Sequence, residues 1–312
     1  MASFRAFQLA ARLATSTAAL MFGLIVVGSV VRTTGSGLAC PDWPLCHGRL
    51  IPPLQFNVFI EWFHRLLALC VGLLLFSTAG TILARRETRG RLGGLAALAV
   101  ALYLTQALLG ALTVWKLLDP SIVSGHLAVG LMLFSTLVAT AMLARQAAGE
   151  DERPAPGVVR PEALLPLFAV ATLLTWCQAV LGGMVSTNHA SLACPDWPTC
   201  NGQWFPAIEG LVGLQVLHRL GAYALALVLG AVALLARRAP DAPVRGIARA
   251  LPWLVLGQLA IGVANVVMGI PVWVSALHLA NATAILALLL IATFRLAALP
   301  APRATWAPAE AR

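Results

Sequence analysis

Eight apolar runs limit what this chain can fold into more than any other feature. They lie at approximately 13–31, 60–84, 92–115, 122–144, 164–185, 211–236, 247–270 and 272–297. A helix needs about 20 such residues to cross a hydrocarbon layer roughly 30 Å thick, and it satisfies its own backbone polar groups while doing so. The pattern predicts an all-α integral membrane protein of eight transmembrane helices. Composition agrees: 312 residues that are 60% hydrophobic and 11% charged offer too little polar surface to coat a water-soluble domain.

A net charge of +9 would by itself suit a nucleic-acid partner, but the charges sort by loop. With a cytoplasmic N-terminus, sixteen of the 21 basic residues fall on the inner side, leaving Arg32, Arg49, Arg65, Lys116 and Arg219. That is the positive-inside asymmetry, which places both termini in the cytoplasm and calls for membrane lipid, not nucleic acid. Arg5 and Arg12 ahead of an apolar stretch, with Ala39 before Cys40, also fit a cleaved signal. The stretch is long for one, however, and the same Leu-Ala-Cys recurs at 192–194, deep inside the chain. Without a long Arg- and Ser-rich lead, the expected location is a bacterial inner membrane.

The chain repeats itself. Leu38 to Pro44 reads LACPDWP, as does Leu192 to Pro198, 154 positions later. At the same offset Cys46 falls on Cys200, His64 on His218 and Arg65 on Arg219; at 152, Gln106 falls on Gln258, Gly110 on Gly262 and His126 on His278. Each half is then a four-helix bundle, and an even number of spans per unit gives both the same orientation, related by a pseudo-twofold axis along the membrane normal. The expected divisions are an N-terminal half at 1–145, a cytoplasmic linker at 146–161 containing Pro154, Pro156 and Gly157, a C-terminal half at 162–298 and a tail at 299–312. Two long loops, near 32–59 and 186–210, face outward. Asp119 before Pro120 reads as a helix cap and first helical residue.

His64, His126, His218 and His278 lie in spans two, four, six and eight, each a few residues from the outer end. An imidazole in lipid is costly unless it pairs, faces a cavity or binds a ligand. One such histidine is readily explained by a hydrogen bond between helices; four at repeat-related positions point to ligation. Haem fits, because its iron accepts imidazoles on both faces and its porphyrin fills a greasy slot between helices. Zinc would need three or four ligands converging on a small centre. Two haem sites are expected, one per half. Arg65 and Arg219 could meet haem propionates, with snorkelling as the plain alternative, and Gln106 and Gln258 read as residues that hydrogen-bond between helices.

Symmetry breaks at Glu61, whose counterpart is Gln215. Glu61 shares a helix face with His64, three residues on, and is a candidate for proton transfer or for stabilising a cationic intermediate; an interfacial, solvated carboxylate is the alternative. Cys40 with Cys46, and Cys194 with Cys200, make a disulfide in each outer loop plausible, although spacing does not establish bonding geometry. Metal binding there is weaker, since His47 has Asn201 as its counterpart. Cys70 and Cys177 read as ordinary helix-packing residues.

Taken together, Glu61-x-x-His64-Arg65, His126, His218-Arg219, His278 and an outward cysteine pair in each half resemble the haem A synthases, of the bacterial type with two extracytoplasmic cysteine pairs. The resemblance covers nearly the whole chain except linker and tails. It implies oxidation of the C8 methyl group of haem O to a formyl group, giving haem A for cytochrome oxidase. It further implies His64 and His126 as ligands of the substrate haem, His218 and His278 as ligands of a haem B cofactor, Glu61 acting at the methyl group, and a thiol-disulfide or electron-transfer role for Cys40 and Cys46. Implied partners are haem O synthase and an electron donor, a quinone or a thiol protein; a homo-oligomer is left open. Two other classes are weighed beside it: a di-haem electron-transfer cytochrome, which usually places haems at both membrane depths, and a haem carrier or transporter, which would be expected to show broken helices or charge at mid-membrane.

Overall fold

The computed structural model describes residues 2–53, 55–150 and 161–300. Among them are eight helices long and apolar enough to cross a membrane: α1 (Ala2–Thr33), α2 (Phe56–Leu83), α3 (Arg86–Trp115), α4 (Pro120–Ala147), α5 (Leu164–Thr187), α6 (Gly210–Ala236), α7 (Ala242–Val267) and α8 (Val272–Ala298). The expected all-α membrane architecture is present. One 3₁₀ turn at Ala190–Leu192, which hydropathy did not reveal, follows α5. Residues 151–160 of the expected linker, with Pro154, Pro156 and Gly157, and 301–312 of the tail lie outside the described residues.

Several helix ends depart from the apolar runs for local reasons. Helix α1 begins well ahead of residue 13, because Phe7, Ala10 and Ala11 pack against Ile82, Leu92, Ala96 and Ala144 at the end away from the cysteine loops. Helix α7 stops before residue 270, where Gly269 and Ile270 take positive φ ahead of Pro271. Asp119 caps α4 as expected, accepting from the backbone N–H of Ser121 at 2.9 Å and of Ile122 at 3.3 Å, with Pro120 as the first helical residue. Asp241 caps α7 through the Val244 N–H at 3.2 Å and also pairs with Arg295 of α8 at 2.7 Å.

Within each half consecutive helices pack and the first closes on the fourth, α1 on α4 and α5 on α8. The halves meet where α1 touches α8, α4 touches α5, and α4 touches α8. Exchanging the halves turns the α1–α8 contact into α5–α4 and leaves α4–α8 unchanged, as a twofold relation requires. Polar ties cross this seam: Ser124 Oγ to Thr187 Oγ1 at 2.8 Å, and Gln146 Nε2 donating to the Phe294 carbonyl at 3.0 Å.

The bundle is filled unevenly along its length. Away from the cysteine loops, Phe168, Leu229, Val232, Leu251 and Leu289 pack in the second half, and Phe7, Ile82 and Leu92 in the first. Toward the cysteine loops the same helices part around a cavity of about 1230 Å³ that reaches into both halves. A single small-molecule site usually occupies roughly 300–1,000 Å³, so this space suits more than one ligand.

Candidate functional site

Each loop over the cavity is built by the same bonds. Cys40 is bonded to Cys46, and Cys194 to Cys200, with Cα atoms 4.7 and 4.5 Å apart. His47 and Gly48 take positive φ, as do Asn201 and Gly202. That turn aims their N–H groups at one carboxylate: Asp42 accepts from them at 2.6 and 2.8 Å, and Asp196 at 2.6 and 2.9 Å. The side chains of His47 and Asn201 do the same work, contacting the Ala39 carbonyl at 2.9 Å and the Ala193 carbonyl at 3.0 Å. His47 is thereby part of loop closure. The N–H bonds from Gly48 and His47 hold the Asp42 carboxyl below its usual range; the Thr199 hydroxyl, then the Gly202 and Asn201 N–H groups, bring Asp196 to about 2.

The guanidinium groups that the sequence suggested for propionates fasten these loops to the helices. Arg65 donates to the carbonyls of Asp42 (2.6 Å), Leu45 (2.5 Å) and Cys40 (3.1 Å), and Arg219 to those of Asp196 (3.0 Å), Thr199 (2.9 Å) and Cys194 (2.7 Å). Both also line the cavity. Arg32 and Arg49 line it as well, neither assigned a contact by sequence reasoning: Arg32 donates to the carbonyl of Ser186, its own repeat counterpart, and lies 3.5 Å from His189 Nδ1, tying the C-terminal end of α1 to the other half.

All four histidines line the cavity, from α2, α4, α6 and α8. Each stands against a glycine of the preceding helix. A Cβ would come within 3.3 Å of His64 at Gly28, 3.4 Å of His126 at Gly110, 2.8 Å of His218 at Gly182 and 3.1 Å of His278 at Gly262. These glycines are themselves repeat pairs, a signal the sequence held, but Gly28 and Gly182 are hard to single out among 26 glycines. Nδ1 of His64 and Nδ1 of His126 are buried with no hydrogen-bond partner among the described residues. Gln106 and Gln258 line the cavity beside them; Gln258 donates to the His278 carbonyl at 3.1 Å, as expected of a residue bonding between helices.

Glu61 is 4% exposed and lines the cavity on the helix of His64. Its Oε1 accepts from Arg65 at 2.5 Å and its Oε2 from the Cys40 N–H at 2.8 Å. The alternative of a solvated, interfacial carboxylate does not hold. Gln215, equally buried, instead donates to the Ser191 carbonyl at 3.3 Å, and its own oxygen has no partner among the described residues. Cys177 is exposed and Cys70 half-buried, so Cys177 is not the packing residue expected.

A duplicated bundle that points histidines from alternating helices into one apolar cavity, beneath disulfide-bonded loops, defines a multi-pass membrane protein with a large histidine-lined hollow. The chain belongs to the COX15-CtaA family, described as cytochrome oxidase assembly protein, whose family model matches residues 11–290. Among similar proteins, the heme A synthase of Rhizorhabdus wittichii is 31% identical, over 88% of this chain and 90% of its own. That of Shewanella oneidensis is 28% identical over 88% and 92%, and that of Halalkalibacterium halodurans 32% identical over 82% and 87%.

Proposed function

We propose that this protein is a haem A synthase that oxidises the C8 methyl group of haem O to a formyl group, and that its two halves divide the work. The observation carrying this reading is the cavity itself, in which four repeat-related histidines face one apolar space and a buried carboxylate accompanies only one pair. The residues suit haem: two bare imidazole Nδ1 atoms in the first half, glycines that let each ring lie close against the neighbouring helix, and apolar walls. On this reading His64 and His126 hold the substrate haem, and His218 and His278 hold a haem B cofactor. Arg65 and Arg219 face propionates with the N–H capacity that the loop carbonyls leave.

Bound haem supplies the oxidising chemistry that side chains lack. The chain supplies orientation and proton handling. Converting a methyl to a formyl group replaces two C–H bonds by a C=O bond, a four-electron oxidation with proton transfers along the way, and Glu61 is the cavity carboxylate placed to carry those protons. Its two hydrogen bonds fix where that carboxylate points. Arg65 beside it lets a charge persist in an apolar surround, and the bond from Cys40 joins it to the outer loop. The reading places the protein in a bacterial inner membrane with both termini in the cytoplasm and the cysteine loops outside. Haem O synthase would deliver substrate, and a quinone or thiol protein would be the electron donor.

Extraction and chromatography of haem from cells that make haem O tests it. Haem A should appear only when the protein is present, and His64→Ala should abolish it. Bound haem B with no haem A, where a known synthase works in parallel, would leave an electron-transfer cytochrome and end the enzyme assignment.

A further inference from the structure

Arg32 is a half-buried cation in the cavity wall with no carboxylate of its own. Among the described residues it makes no ion pair, and the acid that lines the cavity, Glu61, is taken by Arg65. Its bonds, to the Ser186 carbonyl and toward His189, run through Nη2 and leave Nε and Nη1 without a partner among the described residues. The position is as telling as the charge. Gly28, one turn earlier on the same face of α1, stands against His64, so Arg32 overhangs the first pair of histidines.

His189 reaches the same spot by an uncommon backbone. It follows the last turn of α5 with a φ of 55°, a left-handed conformation that helix ends usually give to glycine; after α1 the repeat has Gly35 there, at 67°. Its Nδ1, 3.5 Å from the guanidinium, serves as an acceptor, which puts the ring proton on Nε2 and makes that atom a second donor. His189 also lines the cavity.

We propose that Arg32 and His189 form a carboxylate-binding pair that takes an ionised propionate of the haem held between His64 and His126. This rests on the haem reading above. A charge in an apolar wall is costly when unpaired, and a ligand carboxylate pairs it where no side chain does. The planar guanidinium fork suits that partner, since it can give two parallel bonds to one carboxylate. Axial imidazoles fix the iron but leave the porphyrin free to turn about the axis through them. A propionate anchored at the ring edge stops that rotation, and so decides which edge of the ring is presented to Glu61.

The test uses full-length protein from haem-limited cells, carrying His218→Ala so that the first site is read. It is titrated in detergent with ferric haem O and with its dimethyl ester, and binding is followed in the Soret region. Arg32→Gln should weaken binding of the diacid roughly 10–100-fold and leave that of the ester unchanged; His189→Leu should act in the same direction by a smaller factor. A guanidinium that only ties the halves together would cost the diacid and the ester alike, and that result, or no change in either, overturns the proposal. If Arg32→Gln does not give monodisperse protein, Arg32→Lys is measured. Lysine keeps the charge and loses the fork, so the diacid should weaken by a lesser factor with the ester again unaffected, and equal losses overturn the proposal there too. An effect confined to the His64→Ala background would assign the carboxylate to the other haem, and overturns it as well. A parent chain that binds neither compound sinks the haem reading itself, whereas one that binds both, with Arg32→Gln drawing no distinction between them, sinks only the carboxylate site.

Discussion

The two disulfide-bonded loops match almost bond for bond, while the helix residues beneath them diverge. Arg65 and Arg219 hold corresponding carbonyls, and Asp42 and Asp196 collect corresponding N–H groups. Below, Glu61 faces Gln215, Arg32 faces Ser186, Leu24 faces Gln178 and Val129 faces Asn281. The loops thus share one set of bonds, while the cavity walls beneath them differ. In the first half the wall carries charge and bare imidazoles; in the second the amide nitrogens of Gln178 and Gln258 lie 2.9 and 3.3 Å from ring nitrogens of His218 and His278, and Asn281 donates to the Gln258 oxygen.

Exchanging the acid should give the largest effect. Glu61→Gln should lower haem A formation by about 10²–10⁴-fold with bound haem retained, whereas Gln215→Glu should leave formation at the parent level or below. Equal losses from both changes would erase the distinction between the halves.

The lids sharpen the comparison through stability. Arg65→Ala strands a buried carboxylate, a change that costs about 3–5 kcal/mol where one partner of a buried pair is removed. Arg219→Ala removes only hydrogen bonds to carbonyls, worth about 1–3 kcal/mol. Thermal unfolding in detergent, followed by tryptophan fluorescence, should rank Arg65→Ala as the more damaging; pairing it with Glu61→Gln should recover part of the loss.

Steric room separates the halves next. A Cβ at Gly182 would meet His218 at 2.8 Å, and one at Gly110 would meet His126 at 3.4 Å. Gly182→Ala should therefore displace its histidine and shift the absorption of second-half haem, and Gly110→Ala should be close to silent.

Acid gives the smallest effect. A carboxyl whose folded pKa is depressed contributes stability in full above its unfolded value, near 3.8, and that contribution is lost as pH falls through the folded value, about 2 for Asp196. Asp42 is also depressed but lacks the hydroxyl that Thr199 gives Asp196, since Leu45 stands there. Limited proteolysis across this window should cut the first loop at a higher pH than the second; identical profiles would deny Thr199 any role.

Much of this was legible in the sequence because apolar length and exact repetition are one-dimensional signals. The eight spans, the Asp119 cap and the four histidines that line one cavity followed from them, and the helix contacts are consistent with the twofold relation. What escaped depends on where the chain returns in space. Arg65 follows a histidine and sits near the outer surface, which suggests a ligand contact; only the path of the loop over α2 shows that carbonyls at 40, 42 and 45 meet it first. Gln178 and Asn281 are single polar residues in apolar runs, and because their counterparts are Leu24 and Val129 the repeat itself hid them. The N-terminal turns of α1 escaped for another reason: alanines and arginines there are good helix formers but fall short of membrane hydropathy.

The packed end of both bundles, away from the cysteine loops, has an electrical consequence. A polar-lined hollow that continued through the bundle would let protons cross a membrane whose energy is stored as a gradient. Here the cavity lies toward the cysteine loops, and Phe168, Leu251, Leu289, Ile82 and Leu92, which do not line it, belong to buried apolar clusters toward the other end, a low-dielectric layer where an unpaired ion is prohibitively expensive. Chemistry that moves protons in the cavity is then kept from leaking them across the membrane.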